Sequence, residues 1–281
     1  MPVPRVSVLL ATYRPRPDWL QQAIASVLAQ TFRDYELLVL DDSNLPSVNA
    51  IANSYKDSRI RYLVGPGKGP GYNHSFGIHQ ARAPLISIIN HDDAWAPSLL
   101  ESLFKAYASV PGAVIAFSDH SVMNESGQVD DSRSDRVTKE WKRDSLVEGI
   151  HQPFQRLALV DGAVCLCVSG LFSREIAVDL DPRSDRYYDR YLAYLLSRDG
   201  HAAVYVPERL ASWRESSENL TSRRSVRASV TRLWLAWQFF SDPRLSHLRR
   251  ALGSDLLHSL RGVIGALRDL PMRLTKRADV S

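Results

Sequence analysis

Residues 85–97 constrain this chain more than any other stretch. An apolar run, residues 85–89, suits a buried strand and ends in Asn90, His91 and two adjacent carboxylates, Asp92 and Asp93. Trp95 and Pro97 follow, and a helical pattern begins. Carboxylates held at the exposed end of a strand can grip a hard divalent cation, which typically bridges a few carboxylates and the phosphates of a substrate.

The surrounding sequence has the alternation that such a strand needs. Residues 6–11, 35–40, 60–64, 85–89 and 113–117 are strand-like, and helical patterns separate them at residues 18–28, 47–56, 72–82 and 97–108. Asp18 with Gln21 reads as a capping box, and Leu20, Ile24, Val27 and Leu28 fall on one helix face. This spacing predicts an α/β fold with a mainly parallel central sheet. Residues 118–160 are polar and irregular. Residues 163–168 read as a strand, 187–198 as a helix and 202–206 as another strand. From Arg223 onward the pattern is helical, with interruptions at Pro243, Gly253 and Pro271.

Composition narrows the class. The 281 residues are 44% hydrophobic and 23% charged, which is ordinary for a globular protein. No long uncharged apolar run predicts a spanning helix, and the N-terminus lacks signal-peptide layout. Cys165 and Cys167 fit neither a disulfide framework nor a four-ligand zinc site, so a cytoplasmic home is the simplest expectation. The net charge of +4 is unevenly placed: 23 bases and 27 acids precede Arg223, and 12 bases face 4 acids from there on. A basic helical tail with Trp234, Trp237, Phe239 and Phe240 suits peripheral contact with a membrane surface, or simple solvated and packed helix faces. No nucleic-acid partner is expected, and the sequence leaves oligomerisation open.

In open α/β sheets, ligands bind beyond the carboxyl ends of the strands. Thr12 and Tyr13, Asp41 and Asp42, and residues 90–93 all fall at such ends. With these residues in view, residues 5–101 resemble the donor half of the GT-A fold of family 2 inverting glycosyltransferases. The likeness rests on Val6-Ser7-Val8-Leu9-Leu10-Ala11-Thr12-Tyr13, on Ala25-Ser26-Val27-Leu28-Ala29-Gln30-Thr31-Phe32, on Tyr35-Glu36-Leu37-Leu38-Val39-Leu40-Asp41-Asp42-Ser43, and on Asn90-His91-Asp92-Asp93 with Trp95 and Pro97. A weaker resemblance runs to about residue 221. It implies a Rossmann-like GT-A domain in two halves, 1–117 for the nucleotide-sugar donor and 118–222 for acceptor and catalytic base, with residues 223–281 as a basic helical extension.

The resemblance further implies an inverting transfer from a nucleotide-diphosphate sugar, UDP- or dTDP-linked, to an acceptor hydroxyl, assisted by Mn²⁺ or Mg²⁺. Thr12, Tyr13, Asp41 and Asp42 would border base and ribose, with Asp42 accepting a base N–H. Asn90 replaces the first acid of the family's Asp-x-Asp motif, so metal binding falls to Asp92, with Asp93 close by as ligand or support. His91 is a strand-end side chain that could also face the metal. His74 stands where the family often has arginine, Lys68 in the Gly/Pro loop could supply the missing cation near the phosphates, and Arg214 is present where Ser216 takes a family histidine position. In residues 185–200, Tyr188, Tyr191, Leu192, Leu195 and Leu196 form a helix stripe, and Asp189 beside it aligns with the catalytic base; Asp185 is the rival, with helix capping as its natural role. Asp119 is placed on the acceptor side, and Trp141 is either sugar platform or core. Rival readings are a nucleotide-sugar binder of the same fold without its chemistry, and a sugar-1-phosphate nucleotidyltransferase, which would want a glycine-rich loop after the first strand where Thr12-Tyr13-Arg14-Pro15 stands. The acceptor, whether saccharide, lipid-linked glycan or small aglycone, is not written in the sequence.

Overall fold

A computed structural model describes residues 3–216 and 225–268. The chain runs β1 (Val6–Thr12), α1 (Pro17–Leu28), β2 (Tyr35–Asp41), α2 (Pro46–Ser54), β3 (Ile60–Val64), α3 (Pro70–Gln80), β4 (Leu85–Asn90), β5 (Ala94–Trp95) and α4 (Leu99–Ala108). It continues through β6 (Ala113–Met123), β7 (Val129–Asp130), α5 (Asp131–Glu140), β8 (Gly149–His151), α6 (Gln155–Leu159), α7 (Leu166–Ser169), β9 (Gly170–Ser173) and α8 (Arg174–Ala177). It ends in α9 (Tyr188–Ser197), β10 (Ala202–Arg214), α10 (Val226–Ser241) and α11 (Arg249–Arg268). The strands form one sheet in the order β3-β2-β1-β4-β9-β6-β10-β5, with β7 on β6 and β8 on β10.

The sheet is an α/β sheet of the expected kind, and its register matters most. β1 is parallel to both neighbours; Thr12 pairs with Asp41, and Ala11 with Asn90. Three strand ends therefore stop level, on one rim. Apolar cores lie on both faces: Val8, Leu10, Leu37 and Val39 on one, Leu9, Leu38, Leu40 and Ile88 on the other. Between them Glu36 is buried, accepting from the Ser7 hydroxyl (2.7 Å) and pairing with Arg61 (2.6 Å), which removes the cost of an unpaired buried charge.

Several local expectations need correction. The first helix starts at Pro17, whose fixed φ suits a first turn; Asp18 makes no capping box and pairs with Arg16 at 2.8 Å instead. Residues 163–168 are not a strand. Leu166–Ser169 is a helical turn, and the strand is the next segment, Gly170–Ser173, antiparallel to both β4 and β6. A short apolar run cannot by itself tell a buried turn from a buried strand. The polar stretch after residue 117 is also ordered: β6 continues to Met123, and α5 follows with Asp130 capping it. α11 passes Gly253 without a break, where the missing side chain gives Phe240 room to lie against the helix. Pro271 lies outside the described residues.

Candidate active site

The level strand ends carry carboxylates whose oxygens are engaged by backbone amides. Asp41 accepts from the Ser43 amide and hydroxyl through Oδ1, and from the Leu45 amide and the Tyr62 hydroxyl through Oδ2, both at 2.9 Å. It is fully buried and shapes its own turn. Asp42 reaches across to the glycine loop: Gly67 N–H donates to Oδ1 at 2.7 Å and Gly69 N–H to Oδ2 at 2.9 Å. Each of those oxygens keeps a further lone pair. Lys68, between the two glycines, is exposed, with its ammonium 5.7 Å from the Tyr72 ring centre. Tyr13 is 57% exposed at the rim.

Gly69 has φ of 101°, a conformation that favours glycine, and opens α3. At Gly71 a Cβ would stand 2.4 Å from the Pro182 carbonyl and 2.6 Å from the Asp185 nitrogen. The first turn of α3 and the turn before α9 thus touch backbone to backbone. Asp185 adopts φ of 50° in that turn and pairs with Arg227 at 3.2 Å.

On α3, Asn73 donates to the Leu40 carbonyl at 2.9 Å, and His74 bonds through Nδ1 to the Pro70 carbonyl at 2.8 Å. A carbonyl only accepts, so Nδ1 carries the proton and Nε2 is a bare acceptor while the ring is neutral. Burial holds His74 down at about 4, which keeps it neutral at ordinary pH. Thr12 Oγ1, Asn73 Oδ1 and His74 Nε2 are buried without a hydrogen-bond partner. Buried polar atoms are normally satisfied, so three orphans along one rim suit a bound polar ligand.

After β4 the chain turns sharply. Asn90 donates to Asp93 Oδ2 at 2.8 Å, and the Arg214 amide donates to Asp93 Oδ1 at 2.9 Å. Asp93 is fully buried, and burial together with the neighbouring Asp92 charge pushes its carboxyl well up. It serves as a brace. His91 and Asp92 are half-buried at the rim. Arg214 is 1% exposed, and its guanidinium donates to the carbonyls of Asp92, Asn124 and Glu125 and to Gln22. It locks the turn rather than reaching outward. Among the described residues no group of three His, Cys, Asp or Glu is arranged to hold a metal.

Helix α9 meets this rim through its first residue. The Tyr188 ring stacks on His74, centroids 3.7 Å apart and 14° from parallel, and its hydroxyl lies 3.5 Å from Asn90 Oδ1. Asp189, the next residue, is solvent-accessible and accepts from the Arg190 amide at 2.7 Å. Protein crowding on its other sides removes enough water to raise its carboxyl above the ordinary value. Burial pushes the Cys167 thiol well up, and the Asp189 and Asp93 carboxylates add to this. The turn before α9 lies against the loop held by Asp42, and Tyr188 in α9's first turn reaches the end of β4, so the segments that carry Asp42, Asp92 and Asp189 adjoin.

Asp119 is buried with Arg143 at 2.9 Å and Thr138 at 2.7 Å, and Trp141 packs beside His120. Asp119 thus has its carboxylate oxygens engaged in a buried polar cluster, and Trp141 is half-buried against it. Helix periodicity assigns Tyr188 to a buried stripe without naming its partners, and no local pattern signals Gly71's contact or Asn73's bond across to β2. An apolar groove of about 680 Å³, lined by Arg5, Pro84, Phe104, Tyr107 and Arg174, lies at the opposite end of β1 and β4, away from these groups.

Strand ends, glycine loop and acidic turn in this order, on a sheet of this topology, make a fold of GT-A type. The chain belongs to glycosyl transferase family 2, whose pattern matches residues 7–175. It is 29% identical over 125 residues to an uncharacterized glycosyltransferase of Rickettsia felis, covering 44% of this chain and 20% of that one. It is 32% identical over 111 residues to the succinoglycan biosynthesis protein ExoW of Rhizobium meliloti, covering 38% and 34%. The chain therefore spans about a fifth to a third of the length of these relatives. In fold it is similar to Staphylococcus aureus TarS 1–349 in complex with UDP-GlcNAc, with a TM-score of 0.67 at 13% identity over 96% of this chain and 76% of that one. It is also similar to the mannosyltransferase PcManGT of Pyrobaculum calidifontis in complex with GDP-Man and Mn²⁺, with a TM-score of 0.64 at 14% identity over 95% and 76%.

Proposed function

We propose that this protein transfers a sugar from a nucleotide-diphosphate donor, UDP- or dTDP-linked, to an acceptor hydroxyl with inversion at the anomeric carbon. The observation that carries this is the approach of Asp189 to the rim: its helix is seated on the candidate donor side by the Tyr188–His74 stack. Family membership and the likeness to TarS with UDP-GlcNAc and to PcManGT with GDP-Man support the donor class.

In this reading Asp42 accepts a base N–H with the lone pairs its loop bonds leave over, and the unpartnered Thr12 hydroxyl bonds the nucleoside. Asn90 serves a ribose hydroxyl. Asp189 takes the proton from the acceptor hydroxyl, whose oxygen forms the new bond to the anomeric carbon as the bond to the diphosphate breaks. A raised carboxyl is a better match for that proton than an ordinary one. Asp92, half-buried at the rim, is the residue that would hold Mg²⁺ or Mn²⁺, with Asp93 bracing it. One carboxylate suits a cation that takes its other ligands from phosphates and water. That ion would supply neutralisation of the departing diphosphate. Lys68, the one basic residue of the glycine loop, would add positive charge near the diphosphate.

A second reading, binding without transfer, rests on Asn90, His74 and Ser216, which stand where the family carries other residues. One assay separates the two: release of nucleoside diphosphate from a panel of sugar nucleotides with Mg²⁺ or Mn²⁺. Donor binding with turnover supports transfer chemistry. Binding without turnover leaves the binder, and no binding to any donor removes both readings.

A further inference from the structure

Helices α10 and α11 form a hairpin with two unlike sides. The inner side docks on α9: Trp234 stacks on Tyr191, Phe239 on Tyr194, and Asp255 pairs with Arg190 and Arg232 at 3.1 and 3.2 Å. The outer side of α11 presents Leu257, Leu260, Ile264 and Leu267, which are 57%, 44%, 44% and 51% exposed. Steps of three and four residues put them on one stripe. Arg250, Arg261 and Arg268 are exposed, and at 100° per residue each projects within ~40° of Leu257. Among the described residues none of these three arginines makes an ion pair. The single acid of α11, Asp255, is turned to the inner side. On α10, Val230 and Trp237 are also half-exposed.

We propose that this outer face lies flat on an anionic lipid surface. An apolar stripe flanked by unpaired arginines, with no acid on the same face, complements a layer of lipid phosphates over acyl chains. Arginine stems can lie along the apolar boundary while their heads meet phosphate, and an exposed tryptophan suits the same boundary. A second copy of the chain is a poorer occupant, because pairing two such faces brings arginine against arginine. No helix among the described residues is long and apolar enough to cross a membrane, so the contact lies on the surface. The sequence beyond the hairpin adds Arg273, Lys276 and Arg277 against Asp269 and Asp279. Because Arg190 follows Asp189 and Arg227 pairs with Asp185, a docked hairpin sets the cleft beside the bilayer. The proposal does not depend on the transfer reading.

The test is co-sedimentation of the full chain with phosphatidylcholine vesicles, with and without about a third phosphatidylglycerol. Binding to the anionic vesicles alone, weakened by salt, is expected. The variant Arg250→Glu/Arg261→Glu/Arg268→Glu should lose about a hundredfold in partitioning. Leu257→Ser/Ile264→Ser should lose binding even at low salt. Both substitute exposed positions, so nucleotide binding and the circular dichroism spectrum should stay as in the parent. Failure of the full chain to bind anionic vesicles overturns the proposal, as does undiminished binding by the triple variant. A dimer that Leu257→Ser/Ile264→Ser converts to monomer, without vesicle binding by the parent, would assign the stripe to a second copy.

Discussion

The two sides of the proposed site, a donor wall and a base wall, are held by different kinds of bond. On the donor side, Asp41, Asp42 and Asp93 all accept from backbone amides, and Asn73 donates to a backbone carbonyl. Hydrogen bonds to a charged acceptor are the stronger kind, and backbone donors have no rotamers to lose. On the base side, α9 is held by stacked rings and by arginine–carboxylate pairs between side chains. Those contacts depend on helix placement and can slide. The donor wall is therefore fixed in advance, while the base wall can be tuned.

The sharpest way to break that comparison is at the base itself. Asp189→Asn keeps the shape of the first turn and removes the proton acceptor, and kcat should fall about a thousandfold. Nucleotide affinity, set by the opposite wall, should hold within about twofold if the walls act separately. Equal loss of both would show that the walls are one unit, and full activity would sink the assignment of Asp189. The same substitution removes a carboxyl whose charged form is disfavoured in the fold, so the variant should melt higher than the parent near neutral pH.

The His74–Tyr188 stack joins the walls, and acid should stress it. His74 titrates at about 4 in the fold, below the value of 6.5 for an unperturbed histidine, because burial disfavours its charged form. The unfolded chain thus takes up more protons between those values, and stability falls as pH drops from 6.5 towards 4. The loss from this group is on the order of 3 kcal/mol. His120, held down at about 3 by burial and by Arg143 and Arg209, adds to the same slope. Denaturant melts across this range should show a shallower slope for His74→Phe, which keeps the stack. An unchanged slope would mean that the ring is hydrated in the fold.

The donor wall was the legible part of this molecule for the same reason that it is rigid. Strand ends, the acids after them and a glycine loop are local features, and parallel register brings Thr12, Asp41 and Asn90 level without further information. The base wall is built from partners far apart in sequence. Tyr188 meets His74 and Asn90, and Asp255 meets Arg190, across distances that no periodicity records. Roles are hidden in the same way. Asp93 and Arg214 have ligand chemistry, yet the fold turns each inward to brace the acidic turn, and only three-dimensional neighbours distinguish a brace from a ligand. β9 was displaced from its expected position because an apolar run reads alike in a turn and in a strand.

A smaller effect comes from the point where the walls meet backbone to backbone. Gly71→Ala drives a methyl towards the Pro182 carbonyl and the Asp185 nitrogen, neither of which can rotate away. Overpacking of this kind costs about 1–3 kcal/mol. Denaturant midpoints should drop accordingly, and KM for the donor should rise as the loop carrying Gly67 and Gly69 is displaced from Asp42. A stability loss with unchanged donor KM would place the strain wholly on the base wall.

The smallest effect tests the tunable wall directly. Asp255 is shared by Arg190 and Arg232, all three groups being partly exposed, so Asp255→Asn should cost about 1 kcal/mol, seen as a melting temperature a few degrees lower. Its effect on chemistry has a definite sign. Arg190 already draws the Asp189 carboxyl down, through its amide and its charge, against the upward push of burial. Released from Asp255, the Arg190 guanidinium is free to turn towards Asp189 and lower that carboxyl further. A base must be ionised to accept the acceptor's proton, so the acid limb of the kcat profile should move to lower pH, while the limiting rate falls modestly as the base weakens. An acid limb that stays in place in a correctly folded Asp255→Asn variant would mean that the hairpin has no hold on the base. The base wall would then be as fixed as the donor wall.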